Sequence, residues 1–469
     1  MTKYNPITPA ILEQLQQTVG KEYTLIHQQI TEEYGHDAAT KNDKPQYPEV
    51  VILPKNVEEI AKIIKLANQY LIPVTPRGGG SGLAGGAVPL YGGILLDLAR
   101  MNKIIHLDRE AQYIVVEPSV RTSDLQATAY QQGFLYAGDP CSNDQCVIAG
   151  NIATNAGGNR AVKYGVTADQ VYSLEIVTPL GEIVTIGSRL KKNATGYNLP
   201  RLLAGSEGTL GIVTKATLKL QPLAPFNPNY LVVMPDLQGV VALVKQVLDD
   251  PLLDPLSLEL IDIKTAKDIE AYQNYPVFDH PVGDCLIVQW EAYSEEEISI
   301  RKKRLDEIAK KQGSLVVKEI DGDIIWPARR IWGKAIEAKN PIRFSEDLVV
   351  PVDKINKFID ILEDLSQKWT FEFRIAGHAG DGNMHLAIIP QPENTGWQTA
   401  LPLLRQELYA QTYEIGGRLS GEHGIGFKRK QTLATLADPI ELLLMKSIKT
   451  AFDPNSILNP GKIFDLEAV

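Results

Sequence analysis

Cysteine is scarce in this sequence: Cys141, Cys146 and Cys285 are the three among 469 residues. An odd, sparse set argues against a disulfide framework and fits a reducing compartment. Cys141 and Cys146 are also too few to make a metal site of their own. Basic charge is short as well, with 47 Lys and Arg against 57 Asp and Glu and a net charge of −10. That balance speaks against a general nucleic-acid surface, which needs a basic excess. It leaves room for an anionic small substrate, because one arginine can dominate a buried pocket. Long apolar runs are missing too. No stretch approaches the roughly 20 apolar residues of a membrane span. The opening MTKYNPITPAILEQLQQTVG lacks the unbroken apolar core of a secretion signal. These absences point to a cytoplasmic protein, with attachment to a membrane surface through a partner left open.

What is present is an ordinary globular composition, 44% hydrophobic and 22% charged, in a chain long enough for two domains. The first 45 residues mix amphipathic helix with polar loop. VVILPKNVEEIAKIIKLANQYLIPVTPRGGG then reads as strand, helix, strand, glycine loop, with Asn56 placed to cap the helix. SLEIVTPLGEIVTIG reads as two strands joined by a Pro-Leu-Gly turn. In GIVTKATLKL, Ile212, Thr214, Ala216, Leu218 and Leu220 share one face of a strand. Pro222, Pro225 and Pro228 mark a domain boundary. Strands at Leu286–Trp290 and Phe371–Ile375 and a long helix over Ser294–Gln312 follow. The pattern predicts an α+β protein: an N-terminal helical segment (1–45), a first domain (46–222) and a second (223–469).

Two glycine-rich stretches dominate the first domain, PRGGGSGLAGGAVP (Pro76–Pro89) and IAGNIATNAGGNRAVKYG (Ile148–Gly165). Such runs bare their backbone N–H groups and can ring a diphosphate. A single cluster is better read as a flexible turn; two long ones favour a dinucleotide. Gly78, Gly80 and Gly82 invite a GxGxxG match, but the position three after Gly80 is Leu83 and no long helix follows. The dinucleotide would be held by loops.

The second domain carries GHAGDGNMHL (Gly377–Leu386) and SGEHGIG (Ser420–Gly426), which hold three of only seven histidines. His378 and His385 are seven apart, a spacing that puts them on opposite faces of one straight strand. Gly380-Asp381-Gly382-Asn383 is a strong turn signal, so the two can meet across a hairpin. Two imidazoles and a carboxylate form a metal site with an open position. Glu422 is the candidate carboxylate and Asp381 its rival. A single histidine in a glycine turn is more often a hydrogen-bonded loop residue, and the residues alone leave the metal open.

PRGGGSGLAGG, AGDP, AGNIATNAGG, KYG and GSEGTLGIVTKATLKL together resemble the FAD-binding domain of the vanillyl-alcohol oxidase and p-cresol methylhydroxylase superfamily. The resemblance implies that Pro76, Arg77, Gly78, Gly79, Gly80, Ser81 and Gly82 wrap the pyrophosphate. It further implies that Pro140, Gly150, Asn151, Thr154, Gly158 and Tyr164 line the cofactor, with Ile212 or Val213 touching a ring. Many members attach the flavin to a histidine in the first loop. Ser81 stands there and His106 lies outside the motif, so non-covalent FAD is implied. GHAGDGNMH, GEHGIG and FDPNSILNPGKIF resemble the FAD-linked D-2-hydroxyacid dehydrogenases, a group that includes D-lactate dehydrogenases and the flavin subunit of glycolate oxidase. The likeness spans residues 46 to 466.

This second resemblance implies a divalent metal, in most members zinc, on His378, His385 and Glu422. His423 is implied as the base, Asn459 as a residue approaching the flavin, and the segment from about 415 to 469 as returning to it. A substrate carboxylate calls for an arginine fork. Alignment with the family favours Arg329, with Arg343 in reserve and Asn383 as a further substrate contact. The family's lysine-bearing segment is replaced by Phe344-Ser345-Glu346-Asp347, which tilts the substrate toward small acids, D-lactate or glycolate. An electron acceptor is implied, whether quinone or redox protein, and homodimer and hetero-oligomer both stay open. Two other readings compete: a non-catalytic flavin-binding subunit, and a non-redox enzyme like alkylglycerone-phosphate synthase.

Overall fold

The computed structural model describes residues 4–278 and 281–466, and the chain divides into two compact units. The first gathers the chain up to Ala156, then Val166–Leu223, then His423 onward; the second holds Gly157–Gly165 and Ala224–Glu422. The chain crosses between them on either side of Gly157–Gly165, among the boundary prolines, and between Glu422 and His423.

The first unit has two main sheets. Strands β1 (Thr24–Ile26), β2 (Val50–Ile52), β3 (Val74–Arg77) and β4 (Ile94–Asp97) form one, in the order β1-β2-β4-β3. Its inner strands are parallel, and β2 and β4 are buried throughout, as parallel strands covered on both faces should be. The helix Val57–Tyr70 covers this sheet with Ile60, Ile63, Ile64 and Ala67, and the Asn56 side chain accepts from Glu59 N at 2.9 Å to cap it. Residues 1–45 are not set apart from this unit. Ile11, Leu15 and Val19 of the helix Pro9–Val19 enter the same core, and β1 pairs with β2. Ile457 and Leu458 enter it from the far end of the chain.

The second sheet of this unit contains β5 (Ile104–Asp108), β6 (Tyr113–Val116), β8 (Val171–Val177), β9 (Ile183–Gly187) and β10 (Ile212–Lys219), in the order β5-β6-β10-β8-β9. Separately, β7 (Phe134–Leu135) pairs with β11 (Gln221–Pro222). The alternation expected on β10 starts only at Thr214. A register shift after Val213 lets Ile212 pack into the first core and Val213 into the second.

The second unit is built on one seven-stranded antiparallel sheet. Its strands are β12 (Asn229–Met234), β13 (Ser257–Ile261), β14 (Asp284–Gln289), β15 (Val316–Glu319), β16 (Phe344–Val349), β17 (Phe371–His378) and β18 (Asn383–Pro390). They run in the order β15-β12-β14-β13-β17-β18-β16. The expected long helix is Glu295–Lys311, capped by Ser294 accepting from Glu297 N. The sheet centre is apolar except on one face, where β13, β17 and β18 carry Glu259, His378 and His385 inward.

Candidate active site

β17 and β18 form the hairpin that the Gly-Asp-Gly-Asn signal predicted. Gly382 turns it with φ +84°, where a Cβ would lie 2.0 Å from the Val350 carbonyl oxygen. The register sets His378 opposite Asn383 and His385 opposite Ala376, so the histidines are diagonal neighbours on one face. Their Nε2 atoms are 3.3 Å apart and the rings meet edge to face. Glu422 brings Oε1 to 3.5 Å from His385 Nε2 and 3.9 Å from His378 Nε2. All three side chains are buried, and one donor atom of each lies within 4.8 Å of the others.

This donor set suits a divalent cation. His378 Nδ1 sits 2.6 Å from Glu259 Oε1, and a carboxylate can only accept, so Nδ1 carries the proton. In the neutral ring Nε2 is then left with its lone pair, aimed at the other two ligand candidates. Burial works against a charged His378, yet Glu259 and Glu422 overcome it and hold its pKa well above the ordinary value. A cation between the two Nε2 atoms and Glu422 would take over that charge balance. Asp381 does not join the set. Its Oδ1 accepts from Asn383 N at 3.0 Å, and burial raises its pKa to about 6.

Arg329 lies in the same unit and is fully enclosed. It is 0% exposed, and its Nε and Nη2 lie 2.9 and 2.8 Å from Glu259 Oε2. Burial opposes the charge on Glu259, while His378 and Arg329 together hold its pKa below the usual carboxylate value. Arg343 is engaged with Ser345 Oγ and Glu337. Asn383, expected to touch substrate, spends its amide on Asp347 Oδ1 (2.7 Å) and the Leu348 carbonyl (3.1 Å). With both N–H groups committed, it ties strands together. Asp347 also accepts from Ser420 Oγ and from Glu422 N, which fixes the loop that presents Glu422. Trp332 stacks on the His385 ring. Glu259 and Asp347 were missed as site residues. The available signal was an acidic residue inside an apolar strand, SLELI for Glu259 and SEDLVV for Asp347.

In the first unit, Gly78–Gly82 leaves the end of β3 as a loop against the start of the helix Ile148–Thr154. A Cβ on Gly78 would lie 2.6 Å from Val147, and one on Gly79 would lie 2.8 Å from the Gln145 carbonyl oxygen. Among the described residues, none of the backbone N–H groups from Gly78 to Gly82 donates to a protein acceptor. Five successive unspent donors suit a pyrophosphate. The Arg77 guanidinium lies against Gly80 and donates to the His36 carbonyl at 2.6 Å. Pro140, Gly150, Asn151, Thr154, Ile212, Val213 and Asn459 belong to this unit, whereas Gly158 and Tyr164 belong to the other. There Tyr164 donates its hydroxyl to Glu291 at 2.7 Å. Asn459, at φ +44°, donates to the Gly86 and Glu207 carbonyls. Glu207, at φ +50°, accepts from Ile425 and Gly426 N, and Lys462 donates to the Val88 carbonyl. Burial drives the Lys462 pKa down to about 7 against the pull of Glu207 and Asp37. His423 opens the segment that returns to this unit and is half-buried.

Residues 48–187 match the FAD binding domain family, and residues 224–463 match the FAD linked oxidases, C-terminal domain. The chain is 35% identical to a D-lactate dehydrogenase of Anaerostipes hadrus, with 98% of each chain covered. The chain belongs to the FAD-linked oxidase family. Within it, the glycolate oxidase subunit GlcD of Bacillus subtilis is 34% identical over 98% of each chain. These are relatives of the kind the motifs resembled. The solved p-cresol methylhydroxylase shares the fold, with a TM-score of 0.82 at 17% identity over 99% of each chain. Membership makes FAD the cofactor of the glycine-loop unit. Among the described residues no helix is long and apolar enough to cross a membrane.

Proposed function

We propose that this protein is an FAD-dependent dehydrogenase that oxidises a small D-2-hydroxy acid, D-lactate or glycolate, to the 2-oxo acid. The observation that carries the reading is the convergence of His378, His385 and Glu422 in a chain that also presents an unspent glycine loop. The names of the two relatives support it. His378 Nε2, His385 Nε2 and the Glu422 carboxylate would hold a divalent metal, with zinc favoured by the nitrogen-rich set. When bound, the metal lowers the pKa of the substrate hydroxyl and the non-covalent FAD supplies the hydride acceptor. His423 takes the hydroxyl proton as base.

Arg329 is assigned to the substrate carboxylate, with Glu259 keeping its guanidinium in one orientation. A carboxylate that reaches a buried guanidinium meets little competing solvent, so the charge-assisted pair is strong. Asn383 supports the site through Asp347. Phe344 on β16 adds no cation for a second carboxylate, which favours small acids. Reoxidation falls to a quinone or a redox protein.

The test is anaerobic mixing of the yellow protein with a panel of D- and L-2-hydroxy acids, read as loss of the flavin's visible band. D-lactate or glycolate should bleach it fastest. If dithionite bleaches the flavin but no 2-hydroxy acid does, the dehydrogenase reading fails. A flavin-binding subunit or a non-redox synthase would then fit instead.

A further inference from the structure

We infer that Glu259 is a positioning residue that sets the tautomer of His378 and the orientation of Arg329 through one carboxylate. The inference rests on the metal and substrate roles proposed for those two residues. It concerns a side chain on a different strand, 119 residues before His378.

The geometry divides the carboxylate cleanly. Oε1 faces His378 Nδ1 at 2.6 Å, and Oε2 faces Arg329 Nε and Nη2 at 2.9 and 2.8 Å. Glu259 and Arg329 are both 0% exposed, so water cannot substitute for either contact. β13 delivers the residue because its register on β17 pairs Glu259 directly with His378. A buried carboxylate with both oxygens taken by donors holds each donor in a single geometry. For His378 that geometry fixes the proton on Nδ1 and leaves Nε2 to act as a ligand. For Arg329 it fixes the plane of the guanidinium. The candidate metal ligand and the candidate carboxylate anchor are thereby set by the same group. A change at Glu259 should disturb both together.

Glutamine separates this role from simple space filling. It has nearly the volume of glutamate but only one acceptor oxygen and an NH2 in place of the other. If the oxygen stays with Arg329, the NH2 faces His378 Nδ1 and the imidazole proton is driven to Nε2, where it blocks ligation. If the oxygen goes to His378, the NH2 confronts Arg329. Either way one of the two functions suffers.

The experiment uses the full-length, FAD-loaded protein stripped of metal and titrated with Co2+, followed through the visible absorption of the bound ion. A second measurement assigns the histidine tautomers by long-range nitrogen–proton correlation on protein carrying 15N-histidine; seven histidines keep the spectrum tractable. Glu259→Gln should weaken Co2+ binding by about 10–100-fold, as losing the group that orients a ligating histidine does elsewhere. FAD content should not change. Glu259→Asp, which restores two acceptor oxygens, should recover part of the loss. At a pH high enough to leave the ring a single proton, the wild type should show that proton of His378 on Nδ1. Undiminished Co2+ affinity in Glu259→Gln, or a wild-type His378 proton on Nε2, overturns the inference. If the wild type takes up no Co2+, the metal reading fails by itself, and the tautomer measurement still decides Glu259. Should Glu259→Gln fail to fold, Glu259→Asp and the wild-type spectrum decide it.

Discussion

A base must be able to reach its proton, and His423 is half-buried where His378 and His385 are enclosed. It follows Glu422 directly in the chain, so any geometry that holds one constrains the other. Replacing His423 by Ala should leave FAD content and Co2+ uptake unchanged and slow flavin reduction by substrate about 10²–10⁴-fold. Stopped-flow reduction of that variant at the wild-type rate would remove His423 from the chemistry. Arg329 makes a different prediction. Arg329→Lys keeps the charge but loses the fork that spans Glu259 Oε2, so substrate affinity should fall about tenfold or more. A rate that saturates at unchanged substrate concentration would show that the carboxylate binds elsewhere. The histidines were legible because glycine frames them and a turn signal separates them. Glu259 and Asp347 were not, because their relation to the histidines exists only in strand register. Asn383 was legible as a turn residue, yet its commitment to Asp347 depends on β16 lying beside β18.

Elements that carry a site must hold it still, and the end of the central sheet near the helix Ile263–Gln273 does so with buried acids. Asp262 caps that helix by accepting from Thr265 N at 2.7 Å, while Asp284 accepts from Ile263 N at 2.6 Å. Burial, followed at a distance by the charges of Asp262 and Asp236, raises the Asp284 pKa from 3.8 to about 6, although the Ile263 N–H pulls it down. The folded protein therefore binds a proton there more tightly than the unfolded chain does. The contribution to stability is full below about pH 4 and is lost as pH rises to about 6. Asp284→Asn keeps the acceptor oxygen and removes the titration. The variant should gain about 1–3 kcal/mol over the wild type between those limits and hold that gain above them. Denaturant unfolding at a series of pH values measures it, and a pH-independent difference would count against the assignment. The hairpin, the capped helices and the β8–β9 turn were readable from local chemistry. The shift on β10 was not, since Ile212 and Val213 go to different cores only because two cores exist on either side of them.

At the scale of the molecule, neither unit is a continuous stretch. A boundary at the proline cluster is visible in composition, but the return of residues after Glu422 to the first unit is not written in any local pattern. Its cause is physical: Ile457 and Leu458 are apolar residues in a short terminal segment, and they need a core to enter. Val74 N donates to the Ile457 carbonyl at 2.8 Å and Asn459 N to the Val74 carbonyl at 2.7 Å, so the segment lies along β3, the strand that leads into the Gly78–Gly82 loop. Leu458 is 0% exposed in the core beneath that strand. Leu458→Ala should therefore cost about 2–5 kcal/mol, seen as a lower thermal midpoint, and should weaken FAD retention because the loop loses the support of its strand. A chain ended at Glu422 should lose that support altogether and purify without flavin. The two results belong together: if Leu458→Ala lowers the midpoint while FAD affinity stays at the wild-type value, the terminal segment stabilises the fold without shaping the flavin loop. If the shortened chain still purifies yellow, the loop is organised without the residues after Glu422.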